Sequence, residues 1–137
     1  MRKDWPKMFP KGRILCTEDN ADTRELVTFV LSGEGYEVTC ANSPAHTLAL
    51  ARDQSFDLYL MDSWLPDLSG VELTRKLREF DVRTPVLFYS GAGFESDKEA
   101  ARLAGAQGYL VKPVLHENLI KEVRRLIETS AGHAVGR

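Results

Sequence analysis

The chain is expected to fold as a single α/β domain, a five-stranded parallel sheet of order 2-1-3-4-5 with helices on both faces. Three observations predict this. From Arg13 onward, short apolar runs alternate with amphipathic ones five times, the pattern of βα units in series. Leu58-Tyr59-Leu60-Met61 and Val86-Leu87-Phe88-Tyr89 are almost unbroken apolar runs, as strands covered on both faces require. Glu37-Val38-Thr39-Cys40 alternates instead, which suits an edge. With the second strand outside and the first, third and fourth inside, right-handed crossovers give the stated order.

Strands are expected over 13–17, 37–41, 57–61, 85–90 and 108–112, and helices over 21–33, 44–54, 70–80, 96–105 and 116–129. Gly33 and Gly35 can end the first helix in left-handed geometry. Ser43 precedes Pro44, a capping hydroxyl before a proline at the first helical position. Ser69-Gly70-Val71-Glu72 and Ser96-Asp97-Lys98-Glu99 both fit a capping box. Leu73, Leu77 and Phe80 repeat on one face of the third helix. The fourth is built on Ala100, Ala101 and Ala104, with Leu103 expected as its one large anchor. In the fifth, Ile120, Val123 and Ile127 form a stripe that Leu119 and Leu126 widen.

A length of 137 residues fits one domain, and a net charge of −2 argues against nucleic acid as a direct partner. No apolar run approaches the roughly 20 residues of a membrane span. The basic N-terminus lacks a signal peptide's apolar core, so a cytoplasmic protein is expected. Residues 1–12 read as a flexible arm, 13–129 as the domain and 130–137 as a loose tail. Cys16 and Cys40 read as buried thiols of a reducing compartment. His46, His116 and His133 show no metal-ligand spacing.

The charged residues carry the function. Glu18 and Asp19 close the first apolar run and Asp62 closes the third. The strand order makes these runs neighbours, so the three carboxylates meet at the topological switch point, where ligands of open α/β sheets bind. Clustered like charges repel, and a hard divalent cation with oxygen ligands offsets that repulsion. Ser90 ends the fourth run, and Lys112, followed by Pro113, ends the fifth. Each has an ordinary alternative: Glu18 and Asp19 as helix N-terminal acids, Asp62 as a turn former, Ser90 as a cap, Lys112 as a solvated surface group. All five fall at one end of one sheet.

These residues resemble the receiver domain of two-component response regulators, a flavodoxin-like (βα)5 fold. The matching pieces are Ile14-Leu15-Cys16-Thr17-Glu18-Asp19-Asn20, the run Asp57 to Gly70 around Asp62, Pro85 to Gly91, and Gly105 to Pro113. The resemblance covers about residues 13–129. It implies that Asp62 is the phosphoacceptor and that Glu18, Asp19, Asp62 and the backbone carbonyl of Trp64 hold Mg²⁺. It further implies that Ser90 is a switch hydroxyl, that Tyr109 is an aromatic turning inward on activation, and that Lys112 neutralises charge. The implied partners are a sensor histidine kinase or histidine phosphotransfer protein upstream and a protein target downstream, with room for a weak homodimer.

Two features depart from the usual pattern. Trp64 stands two residues after Asp62, where its indole could shield the phosphoryl group from water. Gly91-Ala92-Gly93 after Ser90 offers no polar side chain to orient water. A long-lived phosphoaspartate is the expectation.

The domain would catalyse its own phosphorylation and dephosphorylation yet act mainly as a signalling switch. About eight residues follow the last expected helix, so either a single-domain regulator or a receiver cut from a longer protein is expected. The competing readings are a phosphorylation-independent interaction module, a Mg²⁺-dependent aspartyl phosphatase and a flavodoxin-like nucleotide binder. The phosphatase needs a second acid where Trp64 stands. The nucleotide binder needs a glycine-rich phosphate loop after the first strand.

Overall fold

The computed structural model describes residues 10–135, with side chains described through Ser130. The strands are β1 (Gly12–Thr17), β2 (Tyr36–Ala41), β3 (Leu58–Met61), β4 (Val86–Ser90) and β5 (Gly108–Val111). The helices are α1 (Ala21–Gly33), α2 (Pro44–Asp53), α3 (Gly70–Arg78), α4 (Glu95–Ala104) and α5 (His116–Val135). The sheet order is β2-β1-β3-β4-β5, and its four strand pairs are all parallel. Fold class and strand order are as the apolar patterning predicts.

Strand periodicity divides the core into two layers. Ile14, Cys16, Leu58, Leu60, Leu87 and Tyr89 face α1 and α5, meeting Val27, Leu31, Leu119 and Val123. Leu15, Tyr59, Met61, Val86 and Phe88 face α2, α3 and α4, meeting Ala51, Leu73, Leu77 and Ala101. The four residues of β3 and the five of β4 are all buried. Each large apolar side chain so enclosed contributes about 1.5–3 kcal/mol.

Ser43 caps α2 as expected, and at α3 only the forward half of the expected box is formed among the described residues. Ser43 Oγ accepts from His46 N–H at 3.2 Å and Ser69 Oγ from Glu72 N–H at 3.1 Å. The cap of α4 differs: the helix starts at Glu95, and Asp97 Oδ2 accepts from Phe94 N–H at 3.0 Å. Phe94 has no side-chain acceptor to return, so only the reverse half of a capping box exists. The box expected at Ser96 falls inside the first turn. At the end of α1, Gly33 remains helical and only Gly35 takes positive φ, at 98°.

Two apolar residues differ from expectation. Leu103 is 68% exposed, while Ala101 and Ala104 are the buried residues of α4. Small side chains let that helix lie close to its neighbours and turn Leu103 outward. Phe80 lies beyond the end of α3 and is half exposed, with the Arg52 guanidinium 4.8 Å from its ring centre. In α5, Leu119, Val123 and Leu126 form the buried stripe and Ile120 and Ile127 flank it.

At the termini, β1 begins at Gly12, with Lys11 N–H donating to Gly35 O at 2.9 Å. The rest of the expected arm, residues 1–9, lies outside the described residues. The last helix continues to Val135, through much of the segment read as a tail. Ala131 and Ala134 are strong helix formers and no proline interrupts them. Residues 136–137 lie outside the described residues.

Candidate functional site at the switch point

Register builds the acidic cluster. The β1–β3 ladder ends with Thr17 beside Met61, so Glu18 and Asp62 emerge side by side. Glu18 N–H donates to Ala41 O at 3.1 Å and Asp62 N–H to Thr17 O at 3.2 Å, which continues the pairing just beyond the strand ends. One carboxylate oxygen from each of Glu18, Asp19 and Asp62 lies within 4.8 Å of the others. Glu18 is 3% exposed and Asp62 7%, whereas Asp19 faces solvent.

Glu18 is the most constrained of the three. Burial is the main cause that pushes its carboxyl above the ordinary range, and the nearby Asp62 charge adds to the effect. Asn20 N–H, donating to Oε2 at 3.1 Å, and Lys112 Nζ, donating to Oε1 at 3.2 Å, work against it. Arg24 donates to the Glu18 carbonyl at 2.9 Å. The Lys112 ammonium, expected to neutralise charge, gives its hydrogen bond to Glu18. Lys112 also lies 5.1 Å from the centre of the Tyr89 ring. Its backbone N–H donates to Ser90 O at 2.8 Å, and the following peptide to Pro113 is cis.

Asp62 is oriented by backbone. Ser63 N–H donates to its Oδ1 at 2.8 Å. Gly70 N–H donates to Ser63 O at 2.9 Å, bringing the start of α3 against the Asp62 peptide. A Cβ on Gly70 would stand 2.1 Å from the Asp62 carbonyl oxygen, so this approach requires glycine. Between them, Asp67 takes positive φ, at 69°, a conformation Asp tolerates better than most residues. Trp64 is 66% exposed, and its Cζ3 lies 3.8 Å from the position a Cβ on Gly91 would occupy. The indole thus overhangs the start of the loop that follows Ser90.

Ser90 is fully buried, and its Oγ accepts from Ala92 N–H at 3.1 Å. Tyr109 lies inward in this structure, where sequence reasoning expected it to turn inward on activation. Its ring stacks on Phe88 with centroids 5.4 Å apart. Its hydroxyl donates to the Ala92 carbonyl and lies 3.2 Å from Ser63 Oγ. Both residues therefore fit together beside Ala92.

The sequence-predicted residues thus occupy one end of the sheet, with Glu18, Asp19, Asp62 and Lys112 clustered and Ser90 and Tyr109 joined through Ala92. Asn20, Ser63, Gly70 and Ala92 were missed as contributors. All four act at the site through a backbone N–H, which every residue but proline carries, and Gly70 also by lacking a side chain. Only the adjacency of Ser63 to Asp62 could have signalled any of them. An all-oxygen carboxylate set suits a hard cation such as Mg²⁺.

Residues 14–124 match the family model described as the response regulator receiver domain. The chain belongs to that family. This receiver is 30% identical over 122 residues to the cell cycle transcriptional regulator CtrA of Caulobacter vibrioides, covering 89% of this chain and 53% of that protein. It thus spans about half the length of such curated relatives. A CheY-like receiver from Methanospirillum hungatei superposes with a TM-score of 0.85 at 27% identity, over 88% of this chain and 97% of that one. The receiver domain of the sensor histidine kinase PA1611 from Pseudomonas aeruginosa, solved with magnesium coordinated in its active-site cleft, gives 0.80 at 30% identity, over 85% and 98%. Among the described residues, no helix of this receiver is long and apolar enough to cross a membrane.

Proposed function

We propose that this receiver, in the cytoplasm, accepts a phosphoryl group on Asp62 and uses it to reset the face formed by α4, β5 and α5. One observation carries the reading: the carboxylates of Glu18, Asp19 and Asp62 converge within 4.8 Å at the switch point. A carboxylate oxygen of Asp62 attacks the phosphorus of a phosphohistidine on a sensor histidine kinase or histidine phosphotransfer protein. The O–P bond forms as the N–P bond breaks, and the imidazole leaves with the electron pair. Ser63 N–H occupies Oδ1, which leaves Oδ2 to attack.

Glu18, Asp19, Asp62 and the Trp64 carbonyl would hold Mg²⁺, which when bound offsets negative charge on the phosphoryl oxygens. Catalysis here is mainly positioning and electrostatics. Lys112 supplies a compact positive charge from the β5 side and leaves Glu18 for the phosphoryl group when one is present. Ser90 turns its hydroxyl to a phosphoryl oxygen, and Ala92 N–H loses its acceptor. Through the Ala92 carbonyl, the same movement reaches Tyr109 and the face beyond it. The helix α4 shifts at low cost because two alanines are its buried residues. This is a two-state element biased by a local change in charge, and reversing its populations takes several kcal/mol, about 5.5 for a full exchange from 1:99 to 99:1. Downstream, the reset face would meet a protein target.

Incubation with phosphoramidate and Mg²⁺, followed by intact mass measurement, tests the reading. A single phosphate adduct is expected on the wild type and none on Asp62→Ala. A wild type that stays unmodified, or an adduct that survives the substitution, refutes it.

A further inference from the structure

The β1–β2 ladder places Cys16 directly opposite Cys40. Residues paired in this way on parallel strands point to the same face, and both side chains belong to the layer under α1 and α5. Neighbouring strands run about 4.8 Å apart, inside the Cα separation of roughly 4.4–6.8 Å that a disulfide spans. Both thiols are free. Cys16 is 2% exposed, whereas Cys40, on the edge strand, is only half-buried.

The surroundings of the two sulfurs differ. The Cys16 thiol is the largest stabiliser of a Cys40 thiolate, burial opposes it, and the Thr28 hydroxyl and the Arg24 charge add support. Thr28 Oγ1 lies 3.4 Å from Cys40 Sγ. Together these bring Cys40 down to about 6. An accessible thiolate beside a second, buried thiol is the arrangement of a reactive cysteine and its resolving partner.

We propose that Cys16 and Cys40 form a redox-active pair in which Cys40 reduces a hydroperoxide and Cys16 closes the disulfide. The site is separate from the phosphoryl reading and stands without it. In the first step the Cys40 thiolate attacks the terminal peroxide oxygen. An S–O bond forms, the O–O bond breaks, and the departing alkoxide or hydroxide takes a proton from solvent, leaving a sulfenic acid on Cys40. In the second step the Cys16 sulfur attacks the sulfenyl sulfur. The S–S bond forms, the S–O bond breaks, and the departing hydroxide takes the Cys16 proton as water. The two sulfurs lose two electrons in total and the peroxide gains them.

The test exposes the full chain to hydrogen peroxide, unfolds it in N-ethylmaleimide and measures intact mass. The wild type is expected to lose two hydrogens and take up no maleimide. Mapping without reductant should link the peptides containing Cys16 and Cys40, and reductant should restore both maleimide adducts. In Cys16→Ser, a 1,3-diketone should trap the sulfenic acid on Cys40. In Cys40→Ser, loss of the Cys16 thiol should slow at least about tenfold. The wild-type linkage needs no variant, so misfolding of either serine form leaves the test intact. Two titratable thiols at a dose that consumes free cysteine in the same tube overturn the proposal. So do a disulfide between two chains, or equal oxidation of Cys16 in Cys40→Ser.

Discussion

Gly70→Ala tests how the start of α3 positions the Asp62 carboxylate. The added Cβ would stand 2.1 Å from the Asp62 carbonyl oxygen, 3.0 Å from its carbonyl carbon and 3.1 Å from Phe88 Cε2. A carbon rests against a carbonyl oxygen at about 3.3 Å, so one side must yield by about 1.2 Å. The helix is poorly placed to yield. Gly70 N–H is bonded to Ser63 O, Ser69 caps the first turn, and Leu73 and Leu77 are fully buried below. The Asp62 peptide shifts instead. Overpacking of this kind costs about 1–3 kcal/mol, against which alanine's better helix propensity returns about 1 kcal/mol at most. A displacement near 1 Å at a reacting group costs about 100-fold in rate. Thermal melting and phosphoramidate labelling followed by mass measure the two effects. Gly33→Ala is the control, since nothing lies within 4 Å of its added Cβ and its φ is helical; it should match or exceed the wild type in both. A Gly70→Ala protein that melts with the wild type and labels at its rate would refute the positioning argument.

Lys112→Ala should lose most phosphoryl transfer yet bind Mg²⁺ several-fold more tightly, because a cation 3.2 Å from Glu18 repels another at the same carboxylates; isothermal titration with equal or weaker binding would count against this. Trp64→Ala should shorten the phosphoaspartate lifetime by opening water access beside Gly91, and an unchanged rate of adduct loss would sink that role for the indole. Asp81 should contribute to acid stability. Burial works against its charge, but Thr84, Tyr59 and Arg83 donate to the carboxylate and hold it below its ordinary range. Its contribution is therefore complete above the unfolded value of about 3.9 and lost as pH falls through the lower folded value. Urea melts should show the gap between wild type and Asp81→Asn narrowing below about pH 4, and a constant gap would contradict this.

The sequence was most legible where periodicity decides the outcome. Unbroken apolar runs at 58–61 and 86–89 and the alternating run at 37–40 were enough to order the strands, and strand order alone placed Glu18 beside Asp62. Legibility failed where a side chain could choose among neighbours. Strand order puts Lys112 at the same sheet end as three acids without choosing among them, and in the structure it meets Glu18. Leu103 looked like an anchor because it is large, yet helix phase follows the close approach that Ala101 and Ala104 permit. Gly33 and Gly35 were equal candidates for the left-handed position, and two residues of helix length separate them. The backbone donors of Asn20 and Ala92 could not be read at all, since an N–H group leaves no trace in residue identity, and only adjacency to Asp62 hinted at that of Ser63.

Ala92 has no functional group of its own, yet its amide faces Ser90 and its carbonyl faces Tyr109. A single peptide plane on either side of one small residue is the rocker on which hydroxyl and phenol are balanced. Side-chain scanning would pass over it, since alanine is already the scanning residue. What the position restricts is bulk and backbone freedom: it is 4% exposed, and only a replacement that stiffens or crowds the loop, such as proline or valine, would reveal its part. On the proposed reading the pivot between mark and message would be spelled in main chain, and a comparison of side chains alone would overlook it.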